Sequence, residues 1–187
     1  ASKIYKNYKI NSLNFSNEGN EIAFGTIGNA STSEGLFFET VNAAGVLQVP
    51  MIISIWDDAW GISVSSKYHT TKENIYEVLK GFNSDKKNIG VSLMKVKGWD
   101  VENIYSTYVK AEEIARNQHK PVIIHVEEMT QPQGHSTSGS HERYKTKERL
   151  EWAKEFDCIA KFKEWILSHE NSLGEPMSTE EELNEIE

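Results

Sequence analysis

Two adjacent carboxylates, Asp57 and Asp58, stand in WDDAWG (56–61), directly after MIISI, an apolar run that reads as a buried strand. A carboxylate leaving a core needs a partner, because an unpaired charge out of water is costly. Two other polar segments have the composition to help supply one. GNASTSEG (28–35) follows the strand-like EIAFGTI (21–27) and leads into a helical pattern, so its backbone N–H groups and the helix dipole favour an anion. TQPQGHSTSGSHERYK (130–145) is long, polar and rich in Gly and Ser; a loop of that length inside a compact domain is either functional or unstructured. An anion beside carboxylates calls for a cation between them. A diphosphate chelating a divalent metal would meet both needs, since Mg2+ is held by one or two carboxylates plus phosphate oxygens.

The elements that must position these segments alternate along the chain. Strands are expected at 21–27, at MIISI, at 90–96 and, nearly continuous in apolar residues, at 121–129. Helices are expected at 34–48, with Phe37, Val41, Ala44 and Leu47 or Gln48 facing inward, and as a short piece at 72–82. An amphipathic helix at 101–118 presents Ile104, Tyr108, Ala111 and Ala115 on one face. Helices follow at 146–156 and 160–170, and 178–187 opens with a capping box read as Ser178 to Glu181. This alternation predicts an α/β fold: a doubly wound, mostly parallel sheet with helices on both faces. In such folds ligands bind outside the carboxyl ends of the strands, where all three polar segments fall. The expected organisation is an arm or truncated remnant at 1–20, the diphosphate-binding α/β domain at 21–170 and a helical extension or linker at 171–187.

With 187 residues the chain is long enough to bury a real core. A net charge of −8 and the absence of a Lys/Arg cluster argue against a nucleic-acid surface. The apolar stretches are too short to span a bilayer, so no membrane partner is expected. The opening residues lack the apolar core of a signal peptide. Cys158 is the one cysteine, which excludes an internal disulfide and fits a reducing compartment, with cytoplasm as the default.

IGNASTSEGLFFETVNAAGVLQVPMIISIWDDAWGIS (27–63) resembles the cofactor motif of the thiamine-diphosphate-dependent 2-oxo acid dehydrogenases, in the alpha part of their decarboxylating component. That motif runs Gly-acid-Gly, Ala, any residue, Ser-Glu-Gly, then Asn, Pro and Asn-Asn ahead of Tyr and Ile-Ser. Ser33, Glu34, Gly35, Asn42, Pro50, Ile62 and Ser63 match it without a gap. GHSTS (134–138) is similar to the family's His-Ser loop, and FDCI (156–159) resembles its Asp-Pro-Ile. The resemblance covers residues 21–187 and implies the thiamine-diphosphate-binding fold.

It also implies roles for individual residues. Thiamine diphosphate and Mg2+ would be bound by Gly28, Asn29, Ala30, Ser31, Asp58, Trp60 and His135. The metal ligands would be the Asn29 amide oxygen, the Asp58 carboxylate and the Trp60 carbonyl. Two departures matter here: Asn29 stands where the family has an acid, and Asp58 where it has the second Asn. Amide and carboxylate have traded places, so the summed ligand charge is kept. His135 resembles the catalytic histidine that contacts the cofactor-bound intermediate, and Ser136 aligns with a regulatory phosphorylation site of mitochondrial relatives. The implied activity is oxidative decarboxylation of a 2-oxo acid, branched-chain type favoured, with acyl transfer to a lipoyl acyltransferase partner. A beta part or subunit is implied as well, so the chain reads as one domain of a longer alpha–beta polypeptide that is inactive alone, with homo-oligomeric contacts expected. Two alternatives stay open: a degenerate, non-catalytic module of the same fold, and a transketolase-type enzyme.

Each residue also has a plainer reading. Asn in a Gly-rich turn is commonly a turn former, Asp58 could be a surface turn residue, and Trp60 could serve packing alone. Asp57 is expected to be solvated or paired, and His125, in the middle of a strand, to be a satisfied core residue. His69, His119, His141 and His169 read as surface residues.

Overall fold

A computed structural model describes residues 1–9, 14–131, 133–135 and 141–186. Its centre is a four-stranded parallel sheet built from β1 (Ala23–Gly28), β2 (Met51–Trp56), β5 (Ser92–Lys97) and β6 (Val122–Glu127), in the order β1-β2-β6-β5. β2 and β6 take the middle because both of their faces can be buried: MIISIW and VIIHVE carry apolar side chains on both sides, and their polar members Ser54 and His125 are themselves fully buried. Register is set by pairs such as Ile52↔Val122 and Ile55↔His125. β1 lies at the edge, and Phe24 is more than half exposed there. A two-stranded hairpin, β3 (Trp60–Gly61) with β4 (Val64–Ser65), follows β2.

Between the parallel strands run the helices α2 (Gly35–Leu47), α3 (Ile75–Leu79) and α4 (Val101–Gln118). The chain steps from β1 to β2 in one direction and from β5 to β6 in the other. Right-handed crossovers therefore place α2 and α4 on opposite faces of the sheet. One face packs Phe37 and Val41 of α2 and Ile75 and Leu79 of α3 against Ile55, Val91 and Ile123. The other packs Ala111 and Ala115 of α4, with Ile104 and Tyr108 beside them, against Ile52, Val122, Ile124 and Val126. The helix expected at 101–118 thus forms with those bounds and that inner face, capped by Asp100, whose side chain accepts from Asn103 N–H at 3.2 Å.

Several expectations need correction. Leu47 is exposed; α2 buries Gly45 instead, which lies beside Gly90 and Val91. Gln48, in the left-handed region at φ 49°, ends α2 and donates to the carbonyls of Gly45 and Gly90. The stretch 72–82 is not one helix: α3 is flanked by 3-10 turns at Thr71–Glu73 and Lys80–Phe82. The capping box lies one residue later than expected. Thr179 and Glu182 exchange side-chain and backbone bonds at the start of α7 (Glu180–Asn184), while Ser178 donates its hydroxyl to Glu182.

Residues 1–20, expected as an arm, carry α1 (Ser2–Tyr8), and the buried Ser2 hydroxyl donates to the Gly19 carbonyl at 2.6 Å. His119, expected at the surface, is buried, with Nε2 3.0 Å from the same carbonyl. At the other end of the chain, α5 (Lys147–Glu155) and α6 (Cys158–Ser168) begin at Thr146 and Asp157, each of which accepts a backbone N–H. No described helix is long and apolar enough to cross a membrane.

Candidate functional site

Three loops meet at the carboxyl ends of β1, β2 and β6. The first leaves β1 at Gly28. Asn29 N–H donates to the Trp56 carbonyl at 3.0 Å, tying this loop to the end of β2. The Asn29 carbonyl then accepts from the Thr32 amide (3.2 Å) and hydroxyl (2.5 Å), winding a 3-10 turn, Ala30–Ser33, that hands over to α2. The Asn29 side chain is buried and its Nδ2 has no partner among the described residues. Such an unmet donor is expensive unless something else satisfies it.

The second loop is WDDAWG. Asp57 is pinned through its backbone: its N–H donates to Val126 O (2.9 Å) and its carbonyl accepts from Met129 N–H (3.0 Å). The two carboxylates then part company. Asp57 turns back into the core, where its Oδ2 accepts from His125 Nε2 at 2.7 Å. Asp58 faces outward; its Oδ1 accepts from Trp60 N–H at 3.0 Å and its Oδ2 lies 3.9 Å from Lys145 Nζ. Arg149 donates to the Asp58 carbonyl at 3.3 Å, and Tyr144 and Lys145 both pack on the Trp60 ring.

Burial pushes the Asp58 carboxyl above the usual aspartate range. The Trp60 N–H bond and the positive charges of Lys145 and Arg149 act against that shift, while Asp57 adds to it. Burial also pulls Lys145 and Arg149 below their ordinary values, with Asp58 opposing the shift in each.

Between the loops lies a cleft of about 600 Å³. Gly28, Asn29, Ala30 and Ser31 form one wall, Asp58 and Trp60 the second, and His135 reaches it from the loop after β6. Every residue singled out from the sequence as binding or catalytic therefore borders one space. Ser136, singled out as an aligned phosphorylation site, lies outside the described residues.

Sequence reasoning passed over other contributors. Glu34, Trp56, Gly61 and Gln131 also line the cleft. Gly61 is there because a side chain would not fit: a Cβ would sit 2.7 Å from the Ala30 Cβ. Lys145 is nearly fully buried beside Asp58, and a lone Lys in a polar loop gives no signal of that.

No group of three or more His, Cys, Asp or Glu converges among the described residues. A metal here would have to be held by mixed oxygen donors. An amide, a carboxylate and a main-chain carbonyl make a hard, all-oxygen set, which suits Mg2+ completed by phosphate oxygens. The unmet Asn29 Nδ2 donor suits a phosphate oxygen of such a group.

A parallel α/β sheet with a polar cleft at its carboxyl edge defines a ligand-binding domain of the doubly wound class. Residues 6–187 match the family described as dehydrogenase E1 component, and the chain belongs to that family. Similar proteins include 2-oxoisovalerate dehydrogenase subunit alpha 2, mitochondrial, from Arabidopsis thaliana, 30% identical over 144 residues (76% of this chain, 29% of the relative). Pyruvate dehydrogenase E1 component subunit alpha from Rickettsia bellii (strain RML369-C) is 28% identical over 171 residues (91% of this chain, 48% of the relative). The protein of that name from Acholeplasma laidlawii is 31% identical over 152 residues (80% and 41%). The chain spans less than half the length of these relatives.

Proposed function

We propose that this chain is the diphosphate-anchoring part of the alpha component of a thiamine-diphosphate-dependent 2-oxo acid dehydrogenase, with Mg2+ as its metal. The observation that carries this reading is the meeting of Asn29, Asp58, Trp60 and His135 around one cleft, with the Asn29 Nδ2 donor left unmet among the described residues. When bound, thiamine diphosphate supplies the carbanion and electron sink that decarboxylation needs.

The chain's own residues supply position and charge. The backbone from Gly28 to Ser31 would cradle the diphosphate at the entrance to α2. Asn29 Oδ1, Asp58 and the Trp60 carbonyl would hold Mg2+, with Asp58 carrying the one negative charge that residue 29 lacks. His135, exposed where it lines the cleft, brings an imidazole that can pass a proton, which suits acyl transfer to an incoming lipoyl group.

The partners proposed are a beta part or subunit, a lipoyl acyltransferase and a second copy of the protein. A branched-chain 2-oxo acid is the proposed substrate, supported by the GHSTS loop and by the 2-oxoisovalerate dehydrogenase relatives. A non-catalytic module is the second reading, and one observation favours it: Lys145 already stands beside Asp58 where a metal would be its partner.

Calorimetric titration of the full-length protein with thiamine diphosphate and Mg2+ decides between them. Asp58→Ala should abolish Mg2+-dependent binding, and the double exchange Asn29→Asp with Asp58→Asn should retain it. Wild-type protein that binds neither ligand, where an authentic relative does, would leave the non-catalytic reading standing.

A further inference from the structure

We infer that Asp57 is a positioning residue for the metal-binding turn, acting through Ala59 and anchored by the buried His125. The inference rests on the reading of the cleft as a magnesium–diphosphate site. Asp57 touches no part of the cleft's proposed donor set, yet both of its carboxylate oxygens are engaged. Oδ1 accepts from Ala59 N–H at 2.7 Å and Oδ2 from His125 Nε2 at 2.7 Å. A carboxylate can only accept, so Nε2 carries the proton of the second bond.

Three features make this more than the filling of a core. First, His125 has no exposed surface; it lies on the face of β6 that packs against α2 and α3, with its ring stacked on Tyr76 at 6.3 Å. Its Nδ1 has no partner among the described residues. An apolar side chain would fill that position without any unmet polar atom, whereas the imidazole reaches the turn.

Second, Ala59 sits in the left-handed region at φ 68°, which an L residue rarely adopts without a local restraint. The bond from its N–H to Asp57 is such a restraint. Third, Asp58 lies between the two bonded residues and Trp60 follows the second. Fixing Asp57 and Ala59 therefore fixes the direction of the Asp58 side chain and of the Trp60 carbonyl. The main-chain bonds of Asp57 to Val126 and Met129 join the same assembly to the end of β6.

The test uses the full-length protein, with thiamine diphosphate and Mg2+ as the probe. The Mg2+ dissociation constant is measured at saturating thiamine diphosphate, by calorimetry and by the fluorescence of the cleft tryptophans. Asp57→Ala should weaken Mg2+ by at least about tenfold, as loss of a group that orients metal ligands does. Asp57→Asn should stay within about threefold of wild type, because its amide oxygen can accept from Ala59 N–H while its nitrogen donates to the other imidazole tautomer. An Asp57→Ala protein that binds Mg2+ as wild type does overturns the inference. So does an Asn variant as weak as Ala, since charge rather than position would then be what matters.

If Asp57→Ala alone does not fold, Asp57→Ala with His125→Phe removes the stranded imidazole and is read against the same two thresholds. Wild-type protein without Mg2+-dependent binding overturns the reading of the cleft, and this inference with it. Wild-type binding that Asp57→Ala leaves untouched overturns this inference alone.

Discussion

The interior of the sheet and its carboxyl edge obey different rules. In the interior, Ile55, Val122 and Ile124 have no exposed surface, and even the polar Ser54 is engaged, by the Tyr108 hydroxyl and the Trp56 indole N–H. At the edge, Ala59, Ile62 and Glu128 all have positive φ, and buried Asn29 Nδ2 lacks a partner among the described residues. The interior is where residue type and environment agree. The edge is where local preference is overridden and hydrogen-bonding capacity is left unspent, as expected where a ligand completes the structure.

Substitutions can sharpen or break that contrast. Ile124→Ala, deep between β6 and α4, should cost about 2–5 kcal/mol by denaturant unfolding, because surrounding residues collapse only partly into the space. Gly61→Ala should cost about 1–3 kcal/mol, as its new Cβ forces the two cleft loops apart. It should also lower thiamine-diphosphate affinity in the same titration, a loss that Ile124→Ala should not show while the protein stays folded.

Ala59→Gly tests whether the edge is strained. The left-handed conformation costs an L residue roughly 1–2 kcal/mol, and the unfolded-state freedom of glycine offsets about 0.4–1 kcal/mol of the relief. A gain of between about 0 and 1.6 kcal/mol is expected, visible as a Tm at or above that of the wild type. A lower Tm would mean that the contrast overstates the strain.

The smallest effect lies far from the cleft. The Thr179 N–H, together with the Ser178 hydroxyl, holds the Glu182 carboxyl below the usual glutamate range. Because the folded value is lowered, the stability of the capping box is present above the unfolded value and is lost as pH falls through the folded one. An NMR titration should find Glu182 below about 4.3, the ordinary glutamate value.

Much of this was legible in the residues. The apolar runs at 51–56 and 122–127 announced the two central strands, and the spacing of Ile104, Tyr108, Ala111 and Ala115 announced α4 with its inner face. The bounds of the short elements were not legible: the capping box shifted by one residue because adjacent Ser178 and Thr179 can each cap a helix, and each has a Glu three residues on. Leu47 gave way to Gly45 because what α2 packs against there is the backbone of Gly90, and no helical spacing reveals a neighbour's size. At the site, the types and order of Gly28, Asn29, Asp58 and His135 drew attention to one sheet edge. The resemblance singled out Asp58 and left Asp57 solvated or paired, without naming His125 as its partner.

The sequence by itself determined the alternation of strands and helices, the family and part of the cleft lining, Gly28 to Ser31 with Asp58, Trp60 and His135, because hydrophobic period and motif are local properties of a chain. Only the tertiary structure decided who partners whom. His125 is 68 residues from Asp57, and Lys145 is far along the chain from Asp58. Neither pairing follows from spacing, since strand order and the packing of α5 bring them within reach. Of two identical neighbours in WDDAWG, one became an internal brace and the other a ligand candidate, because successive residues leaving a strand point to opposite sides of it.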